Sequence, residues 1–261
     1  AALTEKLIDK LTEVSKAERD KAKEDVADAL ADAIAKVDAA KGKDAIDTAV
    51  TDGKTAIDAI YDALKETNTS VKDAKKDAKE ALDQEAETAK SAVDALDGLS
   101  KEEKDAKKDQ IDQALNEAKD QVDEATSTNA VEKAKNDGSL AIEKEKGKAE
   151  IDAAEKLGLE ELEDLNLEDE DRADKEQAIK DAADDARDID DASTKEEVAT
   201  EVQVGKDDIA DILKDAQLAD IKNNAKEDVE SKAQAAIDNI EARDDLSEDE
   251  KEKLVKEIND A

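Results

Sequence analysis

An aliphatic residue followed by Asp recurs at Val37-Asp38, Val122-Asp123 and Ile189-Asp190, and each time a glycine stands sixteen residues after the aliphatic, at Gly53, Gly138 and Gly205. Four residues after each glycine comes an isoleucine, Ile57, Ile142 or Ile209. Upstream, Val14, Leu99, Leu167 and Leu246 are each followed twelve residues later by Val26, Ile111, Ile179 and Ile258. The chain is thus an internal repeat, present three times and begun a fourth. The starts lie 85, 68 and 79 residues apart, and nearly all of that variation falls after the glycine: Gly53 to Leu99 is 46 residues, Gly138 to Leu167 is 29, and Gly205 to Leu246 is 41. A fixed part followed by an adjustable part suggests two packed helices and a third of variable length.

Composition alone points the other way. The 261 residues carry a formal net charge of -36, and Leu, Ile and Val number 19, 16 and 13. A chain with under about 20% large aliphatics and high net charge is usually disordered. Disorder, however, supplies no physical reason to preserve a sixteen-residue spacing three times. Apolar periodicity supplies the helices. Ile111, Leu115, Ala118, Val122 and Ala125 step by 4, 3, 4, 3, as do Ile46, Val50, Gly53, Ile57 and Ile60, and Val198, Val202, Gly205, Ile209 and Ile212. This is a narrow apolar stripe on charged helices, the pattern of coiled-coil-like packing. Sustained period-2 alternation, the mark of strands, is missing.

Start signals fall at equivalent places. Ser15-Lys-Ala-Glu18, Ser100-Lys-Glu-Glu103 and Ser247-Glu-Asp-Glu250 read as capping boxes, in which Ser accepts from the third helical N–H and Glu reaches back. The third copy has Glu168 and Asp171 there. Asp97-Gly98 reads as a helix stop, and Thr126–Asn129 and Ser193-Thr194 as turns. The expectation is an all-α, elongated tandem array of three-helix bundles with spectrin-like, coiled-coil-like packing. First helices are expected near 15–40, 100–125, 168–191 and 247–260, second helices near 44–65, 128–145 and 194–216, and third helices near 70–97, 148–165 and 219–242. Residues 1–13 are expected to end a preceding helix, with Leu3, Leu7 and Leu11 on one face. The repeats divide as 1–98, 99–166 with a shortened third helix, 167–245, and 246–261 as the first helix of a truncated fourth.

The second copy contains Ala89-Lys-Ser-Ala-Val-Asp-Ala-Leu-Asp-Gly-Leu-Ser-Lys-Glu-Glu-Lys104, then Val122-Asp-Glu-Ala-Thr-Ser-Thr-Asn-Ala-Val131 and Gly138-Ser-Leu-Ala-Ile142. This order of Leu-Ser, Val-Asp-x-Ala, Thr-rich turn and Gly-x-x-x-Ile resembles the Ala-rich domain-of-unknown-function repeat of large cell-wall-anchored surface proteins of Gram-positive bacteria. The resemblance is best over 70–145, and the third copy diverges, which puts regular geometry in doubt at 146–167. It implies an extracellular helical stalk and brings no catalytic residues.

The residues offer little chemistry. His, Cys, Met, Trp, Phe and Pro are absent and Tyr61 is the single aromatic. Without His or Cys, acid–base and nucleophilic work would fall to carboxylates, Lys or Tyr61, and carboxylate pairs are everywhere here. No enzyme activity, catalytic residue, cofactor or metal site is expected. Asp164-Leu-Asn166-Leu-Glu168 alternates oxygen ligands as a calcium loop does, but Asp169 stands where the turn glycine belongs and Lys175 where the bidentate acid belongs. Gly53, Gly138 and Gly205 sit in stripes that continue in phase, so they read as core-facing residues permitting close helix approach, with Ser15, Ser100 and Ser247 as structural caps. Tyr61 reads as a half-buried packing residue ending a second helix.

The acidity disfavours nucleic acid and anionic lipid, which need basic surfaces, and no apolar run is long enough to span a membrane. Ala1 begins no signal peptide, so a secreted form would be represented by its mature part. The expected partners are neighbouring repeats of the same chain, the expected state a monomer, and the expected location the cell-wall-anchored exterior. The leading function is a stalk that projects a distal domain. The alternative is an adhesin-type module binding a host or matrix protein through an exposed helix face.

Overall fold

The computed structural model describes residues 1–260, and among them every regular element is helical. The helices are α1 (Ala2–Ile8), α2 (Lys16–Ala39), α3 (Lys43–Asp94), α4 (Lys101–Glu124), α5 (Thr128–Glu163), α6 (Asp169–Arg187), α7 (Lys195–Glu241) and α8 (Glu248–Asn259). The all-α fold class read from the stripes is what the structure has.

The helix map needs three corrections. Second and third helices, expected as separate pieces, are continuous: α3 has 52 residues, α5 has 36 and α7 has 47. At 1.5 Å per residue α3 is about 78 Å long. The polar run at 66–69 falls between the expected helices at 44–65 and 70–97, yet Thr67 and Thr69 donate their hydroxyls back to the Ala63 and Lys65 carbonyls, at 3.1 and 2.9 Å, and stay helical. No proline interrupts any of these stretches. Secondly, α6 stops at Arg187 rather than near 191, because Asp188 leaves helical conformation with ψ 60. Thirdly, the leading helix spans only Ala2–Ile8; Leu11 is buried but lies beyond it, Leu7 is half-buried and Leu3 is exposed, so the three leucines do not form one helical face.

Two compact units are resolved. The first comprises residues 1–95, 101–146 and 193–195, and the second comprises 96–100, 147–192 and the residues from 196 onward. In the first unit, α1 and α2 pack on the N-terminal part of α3, where Ile8, Ala22, Val26 and Ile57 form a core cluster. The rest of α3 packs with α4 and the start of α5, burying Leu82, Val93, Ile111, Leu115 and Val122. One helix therefore serves two successive bundles. In the second unit the end of α5 packs with α6 and the first half of α7, burying Ile151, Leu162, Ile179 and Ile209.

The stretch of α5 from Gly147 to Ala153 is unusual. Gly147, Ala149, Ile151 and Ala153 are all buried, although a helix puts alternate residues on opposite faces. Two-sided burial has a direct cause. Gly147 faces Val198, Val202 and Ile189 on one side, and Ala153 and Leu157 receive Gly98 on the other. Small residues at 147, 149 and 153 let neighbours approach from both directions. This is the region 146–167 where the sequence put regular geometry in doubt.

Candidate functional site: glycine seams and helix junctions

The chemistry-bearing positions of this molecule are packing positions, and they are built the same way three times. Gly53 in α3, Gly138 in α5 and Gly205 in α7 are buried mid-helix residues. A Cβ placed on them would overlap the Cβ of Ala33, Ala118 and Ala186 respectively. Each pair is a seam where two antiparallel helices touch almost backbone to backbone. A mid-helix Gly costs about 1 kcal/mol relative to Ala, and the close contact offsets it.

What lies over each seam differs. Above Gly138, the Cδ2 of Leu82 stands 3.3 Å from the position a Cβ would take, and above Gly205 the Cδ1 of Ile151 stands at 3.1 Å. Nothing but Ala33 comes within 4 Å of the corresponding position at Gly53.

The caps are also placed. The Ser15 hydroxyl accepts from the Glu18 N–H at 3.2 Å, and the Glu18 carboxylate accepts from the Ser15 N–H at 2.8 Å, a complete capping box on α2. Glu250 accepts from the Ser247 N–H and hydroxyl at 2.9 and 2.7 Å at the start of α8. Those two bonds hold the Glu250 carboxyl below the usual carboxylate range. Nearby, Arg243 pulls Asp245 down to about 2. Ser100 directly precedes α4.

Sequence reasoning missed a set of basic residues, each five positions after a repeat start: Arg19, Lys104, Arg172 and Lys251. Arg19 donates to the carbonyls of Leu11 and Val14 at 2.9 and 2.6 Å. Lys104 donates to the Asp94 carbonyl at 3.0 Å. Arg172 donates to those of Leu162 and Leu165 at 2.5 and 2.6 Å. A helix end leaves carbonyls unsatisfied, and a cation there suits the dipole as well. The first helix of each of the first three copies thereby closes the turn before it. Lys251, at the matching place, pairs instead with Glu248 at 3.3 Å. The recurrence of a cation at this offset was the available signal.

Two junction contacts were equally hidden. Lys75 of α3 is the one buried charged residue among those described. Its ammonium donates to Glu13 at 2.7 Å and to the Asp123 carbonyl at 2.9 Å, so it ties the loop before α2 to the end of α4. Asn68, between the expected second and third helices, accepts from the Glu13 N–H at 2.8 Å. In the second unit Asp220 accepts from the Asn166 N–H at 2.7 Å in the same manner. Asn166 also donates to Asn224 at 2.9 Å and to Glu227 at 3.1 Å. The Asp164–Glu168 segment, weighed above as a calcium loop, is thus a turn hydrogen-bonded to α7. No group of three or more acidic residues among those described is arranged to hold a metal ion. Tyr61 is half-buried against the Ile8–Val26–Ile57 cluster, with the Lys65 ammonium 5.9 Å from its ring centre. It lies inside a continuous helix rather than at a helix end.

These junctions delimit a bundle made of the latter part of α3, α4 and the first part of α5. Residues 74–146 match the family model of a Domain of Unknown Function, DUF1542. That domain is found in Gram-positive surface proteins, in agreement with the resemblance read from Leu99-Ser100, Val122-Asp123 and Gly138. The DUF1542 match begins and ends inside helices, just before Lys75 and at the division between the two compact units. Its repeat is therefore phased third helix, first helix, second helix. No curated protein and no solved structure matches the chain.

Proposed function

We propose that this chain is a non-enzymatic spacer of a bacterial cell-surface protein, projecting a distal domain away from the wall. The observation that carries the reading is that the recurrent side-chain arrangements among the described residues serve helix packing: the Gly–Ala seams, the caps, the Arg19-type carbonyl contacts and the Lys75 tie. DUF1542 over 74–146 supports the surface assignment. The charge supports it physically. A net charge of -36 over 261 residues at about 1.5 Å rise per helical residue sets like charges well within the roughly 8 Å Debye length at physiological salt. Such repulsion opposes collapse and lateral association. No helix among the described residues is long and apolar enough to cross a membrane.

A spacer acts through length, so unit number should matter and surface identity should not. Deleting residues 62–146 removes one 85-residue period in register. The chain has no cysteine, so one cysteine introduced near each end can carry paired spin labels. The label separation should fall by roughly 36 Å, the length of a 24-residue helix such as α4. Scrambling exposed Lys, Asp and Glu at constant net charge should leave it unchanged. The adhesin alternative rests on the exposed aliphatics Leu30, Ile34 and Val50. Saturable binding of the full chain to a matrix or plasma protein at physiological salt, lost on scrambling one face, would replace the spacer reading with it.

A further inference from the structure

The three seams can be compared residue by residue, because Ala33 and Ala118, Gly53 and Gly138, and Leu30 and Leu115 are each separated by the 85-residue period. Over the α4–α5 seam lies α3, which supplies Leu82 above Gly138. Over the α6–α7 seam lies the end of α5, which supplies Ile151 above Gly205. Over the α2–α3 seam there is a cavity of about 270 Å³, lined by the aliphatics Leu30, Ile34, Val37, Val50 and Ile57 and by one charged residue, Lys54. It begins where the α1 contact ends: Ile57 belongs both to its lining and to the Ile8–Val26 cluster. Leu30 is 38% exposed and Ile34 53%, while Leu115 in the covered seam is 8% exposed.

A second difference sets what fits. The residue after each seam alanine is Ile34, Lys119 or Arg187, and the residue after each covering aliphatic is Asp83 or Asp152. Lys119 is ion-paired with Asp83. Arg187 is ion-paired with Asp152, at 2.6 Å, and with Glu155. In both covered seams the aliphatic fills the space over Gly–Ala while the neighbouring Asp meets a cation. The open seam has Ile34 at this place; its one lining cation, Lys54, follows Gly53 in α3, and the equivalent Lys206 pairs with Glu150, the residue before the covering Ile151, not with the Asp after it. An Asp set against Ile34 would lose water without gaining a partner, which is unfavourable, whereas an apolar residue there would bury Ile34.

We propose that the α2–α3 groove is a docking site for an amphipathic helix laid in line with α1, of the same type as α3 residues 71–85. It presents an aliphatic side chain to Gly53–Ala33 and, directly after it, an apolar residue instead of Asp to Ile34. The groove thus selects among helices of this repeat type by the residue next to the plugging aliphatic. The inference holds whichever surface function the chain serves.

The test places a copy of residues 71–85 directly ahead of Ala1 in the full chain. The 85-residue offset then sets the added Leu82 over Gly53. Unfolding of this bundle in urea is followed by the fluorescence of Tyr61, the single aromatic residue. The added helix should raise the folding equilibrium constant by about tenfold or more, the value of burying a Leu-sized side chain. Asp83→Leu in the added copy should raise it further, and Ile34→Lys should reverse that order. An unchanged Tyr61 transition, or an Asp form at least as stable as the Leu form opposite Ile34, overturns the proposal. A second measurement does not depend on the chimera folding. A free peptide of residues 71–85 carrying Asp83→Leu is titrated into the full chain by calorimetry. Saturable binding lost on Ile34→Glu supports the site; absent binding, or binding indifferent to Ile34→Glu, overturns it. Dimerisation of the chain that Ile34→Glu abolishes overturns it in favour of self-association.

Discussion

The seam between α4 and α5 and the seam between α2 and α3 are the same joint in two states of completion. Both bring a helical glycine against an alanine. In the first, Leu82 closes the third side and Leu115 is buried; in the second, Leu30 and Ile34 face outward. The comparison teaches that the Gly–Ala contact fixes how closely two helices approach, while the aliphatic from the third helix removes the joint from water.

The strongest way to break the comparison is to remove the third side. Leu82→Ala should destabilise the α3–α4–α5 bundle by about 2–5 kcal/mol through lost transfer energy and a residual cavity. Leu30→Ala in the open seam should stay within about 0.5–1 kcal/mol, since it is already partly wet. Urea unfolding of the two variants measures both, and equal effects would erase the distinction. Next in size is overfilling. Gly138→Leu should cost about 1–3 kcal/mol, because its side chain must displace Ala118 and Leu82 together. Gly53→Leu meets Ala33 alone and should cost less. A stabilising Gly138→Leu would contradict the seam outright.

Smaller effects sharpen the contrast between packed and unpacked helices. Ser15→Ala removes a complete capping box from α2 and should cost about 1 kcal/mol, visible in the Tyr61 transition. Ser247→Ala should fray α8, which buries no residue, and leave that transition unmoved. The smallest effect is acidic. Glu250 and Asp245 have folded pKa values below their unfolded ones. Their support for α8 is therefore complete above about pH 5, the unfolded carboxylate range. It is lost as pH falls through the folded values, about 2 for Asp245. Amide exchange at 248–251 should accelerate over that interval, after correction for intrinsic rates.

Much of this was legible in the sequence because it is periodic. The stripes give helices, and a glycine in phase with Ile57, Ile142 or Ile209 points toward a packed face. What periodicity does not encode is whether one helix ends before the next begins. The Thr67–Ser70 run has the composition of a turn, but Thr hydroxyls can return to the carbonyl four residues back. Asn68 was free to serve the loop before α2 only because the helix continued beneath it. The contacts of Lys75, Arg19 and Arg172 join residues whose partners are backbone carbonyls, and carbonyls leave no trace in residue identity.

The unbroken course of α3 has a consequence for degradation. Protease sites between domains are ordinarily exposed linkers, and here the passage from one bundle to the next is made by helix, with Lys75 held on both sides. A protease needs extended chain, so cleavage within Lys43–Asp94 must wait for local melting. Melting at the passage breaks contacts of both bundles together, and the most protected peptide bonds of the first unit should lie near Val71–Lys75, where a conventional tandem array is most easily cut.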